Sequence, residues 1–416
     1  MILPRMTKIR QKVHDDYIKD IPGYIQSKIK YTGLGAKIKE GDTVAITAGS
    51  RGITDIVNII KIIVEELKKI KANPFIVPAM GSHGGATAEG QTSVLAKYGI
   101  TQDSTGAPIY SSMNVVNIGN TKSGIPVYID KIASNADHII AVNRIKSHTE
   151  FFGKIESGLI KMLVIGLGKH KGALTAHSYA VKYGYEKTLI EIGEQILQKT
   201  PVTLGVGIIE NGYRKTSLIE FVEPKDFLKK EQHLLSIAKE QTPKLPFKKI
   251  DILIVDEAGK DISGTGMDTK VIGRIRNIYE KELTEPKITR IVLRDITNKT
   301  GGNAIGVGLS DFITKPLMDK IDLNTTFVNT VTAITPEKGR IPLVCSSDKE
   351  AIESGFATAG PFDYKNIRLV RIKNTSDIDE MYISEGLLED ARNMENIEII
   401  GNAEKMNFNK FGQIID

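Results

Sequence analysis

Short apolar runs alternate with segments of helical period along most of the chain. Residues 43–47 (TVAIT) predict a buried strand, and residues 55–69 follow with apolar side chains at i, i+3 and i+4 spacing. The pattern recurs as a strand at 73–80, a Gly-rich turn at 81–87 and a helix at 88–98. This alternation predicts an α/β protein whose sheets are mostly parallel and flanked by helices.

The same pattern continues to the end of the chain, with one interruption. Further strands are predicted at 138–142, 203–209, 251–255, 288–293 and 367–372, and a terminal helix at 378–389. Residues 240–249 (EQTPKLPFKK) carry two prolines and indicate a linker. We therefore predict two domains, at 1–246 and 250–416, with the last segment able to pack back on the first domain. The active site is expected in the cleft between them.

Composition narrows the function classes. The 56 Lys and Arg residues exceed the 50 Asp and Glu residues by only six, without a basic block, and there is no Trp, so nucleic acid is not an expected partner. The single cysteine, Cys345, excludes an internal disulfide. The N-terminus does not resemble a signal peptide, and an uncharged apolar stretch of membrane-spanning length is absent. A cytoplasmic protein with no membrane span is predicted.

Five of the seven histidines fall between positions 83 and 177. His83 lies in a Gly-Ser-His-Gly-Gly turn after an apolar strand, and His148 follows the strand that ends at residue 142. Histidine both accepts and donates protons near neutral pH, so two strand-end histidines are candidate acid-base groups. The alternative, that both only cap turns, stays open at this point.

Lys161 is the only charged residue in the run at 157–168 (SGLIKMLVIGLG). A buried ammonium is costly unless it is paired, deprotonated or converted by a covalent bond, so Lys161 is a candidate catalytic or covalently modified lysine. The alternative is a lysine that extends to solvent from the edge of a strand.

Residues 166–172 (GLGKHKG) form a Gly-rich, basic segment that we expect to be a phosphate-binding loop. Its spacing is one residue too long for the dinucleotide fingerprint. His177 lies sixteen positions after Lys161, and its imidazole suits nickel, zinc and copper alike.

Four segments, GSHGGAT, KSHTEFFG, SGLIKMLVIGLG and AHS, occur in an order and spacing that resemble the nickel-pincer nucleotide-dependent lactate racemase family of 2-hydroxy acid racemases and epimerases. The resemblance implies that Lys161 carries the nickel-pincer nucleotide through a thioamide and that His177 binds its nickel. Gly166 and Gly168 then belong to the cofactor site. It also implies an isomerase that removes hydride and returns it through this cofactor, whose biosynthetic enzymes become expected partners.

The resemblance also assigns the substrate contacts. His83 and His148 are implied as bases on opposite faces of the substrate, and Arg51 as the group that binds its carboxylate. In the second domain Lys260, Asp261 and Lys270 are candidates, of which Lys270 is preferred.

Two departures from the lactate racemase pattern affect the expected substrate. Ala48-Gly49-Ser50 precedes Arg51 where lactate racemase carries an aspartate, and Gly84 replaces an arginine after His83. We therefore expect a 2-hydroxy acid other than lactate, longer or with a second carboxylate, near the charges of Arg144 and Lys146. Two alternatives remain: a nicotinamide dinucleotide-dependent dehydrogenase that uses residues 166–172, and a non-catalytic binding homologue.

Overall fold

A computed structural model describes residues 2–50, 52–361 and 363–415. The chain forms two compact units, the first unit at His14–Thr242 and the second unit at Met1–Val13 with Pro243–Asp416. The first domain is predicted to begin at residue 1, whereas the first strand, β1 (Arg5–Gln11), pairs with strands of the second unit. Within β1, Met6, Thr7, Ile9 and Gln11 are buried while Arg5 and Arg10 are exposed, so most of this strand lies inside the second unit.

The first unit is built from strand-helix repeats. Its helices are α1 (Ile21–Tyr31), α2 (Leu34–Lys37), α3 (Ile56–Lys69), α4 (Ala88–Lys97), α5 (Gln102–Thr105), α6 (Lys131–Ser134), α7 (Leu159–Lys161), α8 (Lys169–Tyr183), α9 (Tyr185–Lys199) and α10 (Phe227–Gln241). Its strands are β2 (Thr43–Ala48), β3 (Asn73–Pro78), β4 (Val115–Asn120), β5 (Pro126–Asp130), β6 (His138–Arg144), β7 (Val202–Glu210) and β8 (Thr216–Val222).

The main sheet of the first unit has the order β3-β2-β6-β7-β8. Its first four strands are parallel, and β8 pairs antiparallel with β7, while β4 and β5 form a separate hairpin. Apolar clusters cover both faces, so the strands read as continuous apolar runs in the sequence. The carboxyl ends of β2, β3 and β6 lie along one edge, which is where parallel sheets bind ligands.

The second unit contains a mixed sheet of order β12-β11-β10-β9-β13-β14-β1-β15. Its remaining strands are β9 (Lys249–Ala258), β10 (Lys287–Ile296), β11 (Phe312–Thr314), β12 (Leu343–Cys345), β13 (Leu369–Ile372), β14 (Glu380–Ser384), β15 (Ile397–Ile399), β16 (Glu404–Lys405), β17 (Asn407–Phe408) and β18 (Ile414–Ile415). Its helices are α11 (Lys315–Lys320), α12 (Leu323–Thr332), α13 (Asp348–Ala359) and α14 (Leu388–Arg392).

The predicted α/β class with mostly parallel, helix-flanked sheets is confirmed, because the strands from β9 to β13 pair in parallel. The predicted helix at 378–389 is wrong over most of its length. Residues 380–384 form β14, in which Met381 and Ile383 are buried and alternate with more exposed residues. This segment forms a strand because it pairs with β1 on one side and with β13 on the other. In the described parts of the chain, no helix is long and apolar enough to cross a membrane.

Candidate active site

His83 lies where the chain leaves the sheet after β3. The Ser50 hydroxyl, just beyond the end of β2, hydrogen-bonds Nδ1 of His83. Because β2 and β3 are neighbouring parallel strands, their carboxyl ends bring these two residues together. The imidazole is exposed, as a group that meets a substrate must be. Arg51, which follows Ser50, lies outside the described residues, and its proposed contact with a substrate carboxylate stays a prediction.

His148 lies in a loop organised around a fully buried carboxylate. Glu156 accepts hydrogen bonds from the backbone N–H of His148 at 2.6 Å and of Gly153 at 3.4 Å, and it pairs with Lys239 at 2.6 Å. The Glu150 backbone N–H donates to Nδ1 of His148 at 3.0 Å. A neutral His148 ring in this arrangement therefore carries its proton on Nε2.

Lys161 ends the short helix α7, which continues directly into a π-helical turn, Met162–Gly166. The turn is closed by a hydrogen bond of 3.0 Å from the Leu167 N–H to the Met162 carbonyl. The neighbours Ile160 and Met162 are buried, whereas Lys161 itself is half-buried and so is less enclosed than the apolar run at 157–168 suggested. The helix turns Lys161 toward the surface while its neighbours pack inward. Short π-helical turns occur frequently at functional sites.

The start of α7 is held by a buried carboxyl group of α10. Glu231 accepts a hydrogen bond from the Ile160 N–H at 2.9 Å, and its other oxygen, Oε1, has no partner among the described residues. Burial raises the pKa of Glu231 to about 7. The group therefore supports α7, and with it Lys161, from the protein interior.

His177 lies on α8 with its Nδ1 shut off from solvent and without a hydrogen-bond partner in the described structure. The rest of the side chain is partly accessible. Burial, with a smaller contribution from the Lys161 ammonium, lowers the pKa of His177 to about 4. The imidazole is therefore neutral at pH 7, which is the state in which histidine binds metals.

A series of ring contacts connects His148 to His177. The ring centroids of His148 and Phe151 lie 4.5 Å apart, and those of Phe151 and Tyr185 are stacked at 5.0 Å. Tyr185 then meets His177 edge-on at 6.0 Å. The loop that carries His148 is thus packed against the region that contains His177 and Lys161.

The turn that carries His83 packs against the segment after Lys161. The Gly81 N–H donates to the Gly166 carbonyl at 3.3 Å. A Cβ atom at Gly166 would lie 2.8 Å from the Ala79 carbonyl oxygen, so only glycine permits this approach. All four histidine and lysine candidates of the first unit therefore belong to elements that contact one another at the carboxyl edge of its sheet.

The segment at 166–172 is a short turn at Leu167-Gly168 between two helical segments, with a left-handed φ of 53° at Lys169, so it is not the extended loop that the sequence suggested. It runs from the end of the π-helical turn through Gly168 into α8, and the Gly172 N–H donates to the Gly168 carbonyl at 2.7 Å. The dinucleotide fingerprint requires a strand, a tight turn and then a helix. Here the glycines lie between helical segments and serve close packing, which disfavours a dinucleotide site.

Lys169 is a residue that sequence reasoning missed. It is fully buried at the start of α8, with its Nζ 3.3 Å from Oδ2 of the equally buried Asp130. The sequence places Lys169 in a basic, polar-looking segment, and its partner lies far away along the chain. A pairing of this kind leaves no local signal in the sequence.

The remaining predicted contacts are less informative. Arg144 is ion-paired with Glu210, so its charge is already compensated. Lys270 is half-buried in the second unit, where its backbone N–H bonds Asp268 at 2.9 Å. The substrate contacts assigned to Lys270 and to Arg51 stay predictions.

The first part of the chain is similar to a known protein family. Residues 5–188 match the family model described as the lactate racemase N-terminal domain. The predicted relationship to the lactate racemase family is therefore confirmed, and this domain contains His83, His148, Lys161 and His177.

A solved structure extends the similarity in fold beyond that domain. The lactate racemase apoprotein from Thermoanaerobacterium thermosaccharolyticum is 16% identical, with a TM-score of 0.50 over 83% of this chain and 87% of that chain. At this identity the match shows a shared fold. A search of curated proteins found no match.

Proposed function

We propose that the protein is an isomerase, a racemase or epimerase of 2-hydroxy acids, that uses a nickel-pincer nucleotide attached to Lys161. The observation that carries the proposal is the buried Nδ1 of His177, which has no hydrogen-bond partner among the described residues, in a ring whose pKa the Lys161 charge helps to lower, within the segment that matches the lactate racemase N-terminal domain. A buried polar atom without a partner is unusual in a folded protein and calls for an explanation such as an absent ligand.

The residues present fit such a cofactor. In the part of the chain that the structure describes, no cluster of three or more His, Cys, Asp or Glu side chains can hold a metal ion. A nickel ion bound by His177 therefore needs its other ligands from the cofactor. When bound, the cofactor supplies reversible acceptance of hydride from the C2 carbon of the substrate. Lys161 would hold it by a covalent bond, and the π-helical turn that follows Lys161 orders the backbone on that side.

The protein side chains handle the proton of the substrate hydroxyl. His83 acts as a base at Nε2 when its Nδ1–H donates to the Ser50 hydroxyl, which also orients the ring. His148 requires one change first. The Glu150 N–H occupies its Nδ1, so His148 exchanges a proton at Nε2 only after that contact is released. Access to both faces of C2 then requires both histidines.

Substrate preference follows from charges near these groups. A 2-hydroxy acid presents a carboxylate, for which Arg51 and Lys270 stay the proposed partners. Because Glu210 already compensates Arg144, a second substrate carboxylate has less support there than the sequence suggested. The panel of test substrates should therefore include both monocarboxylic and dicarboxylic 2-hydroxy acids.

The test is a conversion assay on protein made together with the cofactor-biosynthesis enzymes. Single enantiomers of 2-hydroxy acids carrying deuterium at C2 are incubated and analysed by chiral chromatography and mass spectrometry. We expect the opposite enantiomer or epimer to appear with deuterium retained at C2. We also expect His83→Ala and His148→Ala each to lower kcat about 100-fold or more, the usual contribution of an acid-base group.

The alternatives give different results in the same assay. Loss of deuterium to solvent contradicts hydride return. Accumulation of keto acid at the expense of an added nicotinamide dinucleotide indicates the dehydrogenase. Substrate binding without conversion by cofactor-loaded protein indicates a non-catalytic homologue.

A further inference from the structure

A buried polar chain runs from Asp130 to the turn that carries His83. Asp130, Lys169 and Gln91 are all fully buried. The Lys169 ammonium lies 3.3 Å from Oδ2 of Asp130 and donates to the Pro78 carbonyl at 2.5 Å and to Oε1 of Gln91 at 3.0 Å. The ammonium is thus ion-paired with Asp130 and hydrogen-bonded to two acceptors, one of which is the carbonyl of the last residue of β3.

Gln91 connects Lys169 to the turn that carries His83. Because Lys169 bonds Oε1, the amide group of Gln91 is fixed with Nε2 toward the turn. Nε2 donates to the Gly81 carbonyl at 2.9 Å and to the His83 carbonyl at 3.3 Å. Both amide protons therefore bond the backbone on either side of Ser82.

The turn has conformational freedom that such contacts restrict. Gly81, Gly84 and Gly85 all have positive φ angles, which glycine adopts at little cost but also leaves easily. The His83 side chain is exposed, and its Nδ1 bonds the Ser50 hydroxyl. Where the ring stands therefore also depends on the backbone of the turn that carries it.

We propose that Gln91 and Lys169 are positioning residues for His83, acting through the carbonyl groups of the turn. The proposal rests on the proposed function only in the role it gives His83. It predicts that loss of the Gln91 amide misplaces the imidazole while the rest of the first unit keeps its structure.

The first test reads the position of His83 without activity or cofactor. Protein labelled with carbon-13 at the histidine Cε1 is studied by NMR, and His83→Ala assigns the His83 signal. Gln91→Met removes both donors at similar side-chain volume, and Gln91→Glu keeps the shape but not the donors. We expect the His83 signal to shift in both variants while the His138 signal stays in place.

A matched control separates positioning from general destabilisation. Gln11 is also buried and donates from Nε2 to a backbone carbonyl, that of Ile378 at 2.5 Å, but it lies in the second unit. We expect Gln11→Met to leave the His83 signal unchanged. If Gln91→Met does not fold, Gln91→Glu, which retains an acceptor for Lys169, provides the comparison.

The second test uses the cofactor-loaded enzyme. We expect Gln91→Met to lower kcat roughly 10- to 100-fold with KM nearly unchanged, since small misplacements of a reacting group have effects of that size. An unshifted His83 signal in a folded Gln91 variant overturns the positioning role. A shifted signal together with full activity of His83→Ala supports the positioning role but contradicts the proposed function of His83.

Discussion

The state of His177 provides a quantitative prediction for the protein without cofactor. Its pKa falls from the ordinary 6.5 to about 4 because burial penalises the imidazolium and Lys161 repels it. That difference corresponds to about 3 kcal/mol in favour of the neutral ring. Since the folded pKa is depressed, the unfolded chain binds the proton first as the pH falls. The stabilisation is present above pH 6.5 and is lost as the pH falls toward 4.

The assay is an NMR titration of histidine Cε1 signals between pH 7.5 and 4, with His177→Asn to assign the signal. We expect the His177 signal to titrate near pH 4, well below the ordinary histidine pKa of 6.5. Urea denaturation of the same pair should show the wild type losing up to about 3 kcal/mol relative to His177→Asn over this range.

Lys161→Met tests the proximity of the amine. It should raise the pKa of His177 modestly and leave it below 6.5, because burial is the larger cause. The control is Lys171→Met, which removes an exposed lysine from α8, the helix that carries His177. It should change the pKa of His177 less than Lys161→Met does. A pKa near 6.5 in the wild type, or no response to Lys161→Met, refutes the buried, neutral imidazole beside Lys161.

Three further substitutions test the framework of the site. Because the raised pKa of Glu231 favours the protonated carboxyl group, the wild type should lose up to about 3 kcal/mol of stability as the pH rises from 4.5 through 7. Glu231→Gln should not show this loss, and equal pH profiles of stability for the two proteins would contradict the prediction. Glu156→Ala should cost about 1–3 kcal/mol and shift the His148 NMR signal, since buried N–H groups lose their acceptor; an unchanged signal argues against its role. Gly166→Ala should cost about 1–3 kcal/mol in urea denaturation because its Cβ meets the Ala79 carbonyl, and full stability would show that the contact relaxes.

The hydrophobic pattern of the sequence predicted the buried strands and the amphipathic helix of the first unit. The buried strands β2, β3 and β6 appear as apolar runs, and α3 appears as a periodic stripe, because sheets covered on both faces need continuous apolar strands. The pairing of β1 with β14 joins residues 5–11 to residues 380–384. No local pattern specifies such a partner, and the helix predicted at 378–389 failed for this reason.

In the candidate site, too, the sequence predicted the features that are encoded locally and missed those that depend on distant residues. The turn that carries His83 was predicted from the Gly-rich segment after a strand, and the position of His148 was predicted from the end of β6. The buried lysine is Lys169, although the sequence pointed to Lys161, because burial depends on the distant partners Asp130 and Gln91. The sequence also gave no sign of the role of Glu231, because this residue lies on α10 and accepts a hydrogen bond from the backbone of Ile160, which is distant along the chain.

Covalent attachment of the cofactor to Lys161 is the central feature of the proposed function. Protein made together with the cofactor-biosynthesis enzymes can be digested and sequenced by mass spectrometry, with protein made without those enzymes as the reference. We predict an added mass on the peptide that contains Lys161, confined to that residue and absent from the buried Lys169. An actively racemising preparation in which Lys161 is unmodified, or in which another lysine carries the added mass, would contradict the account.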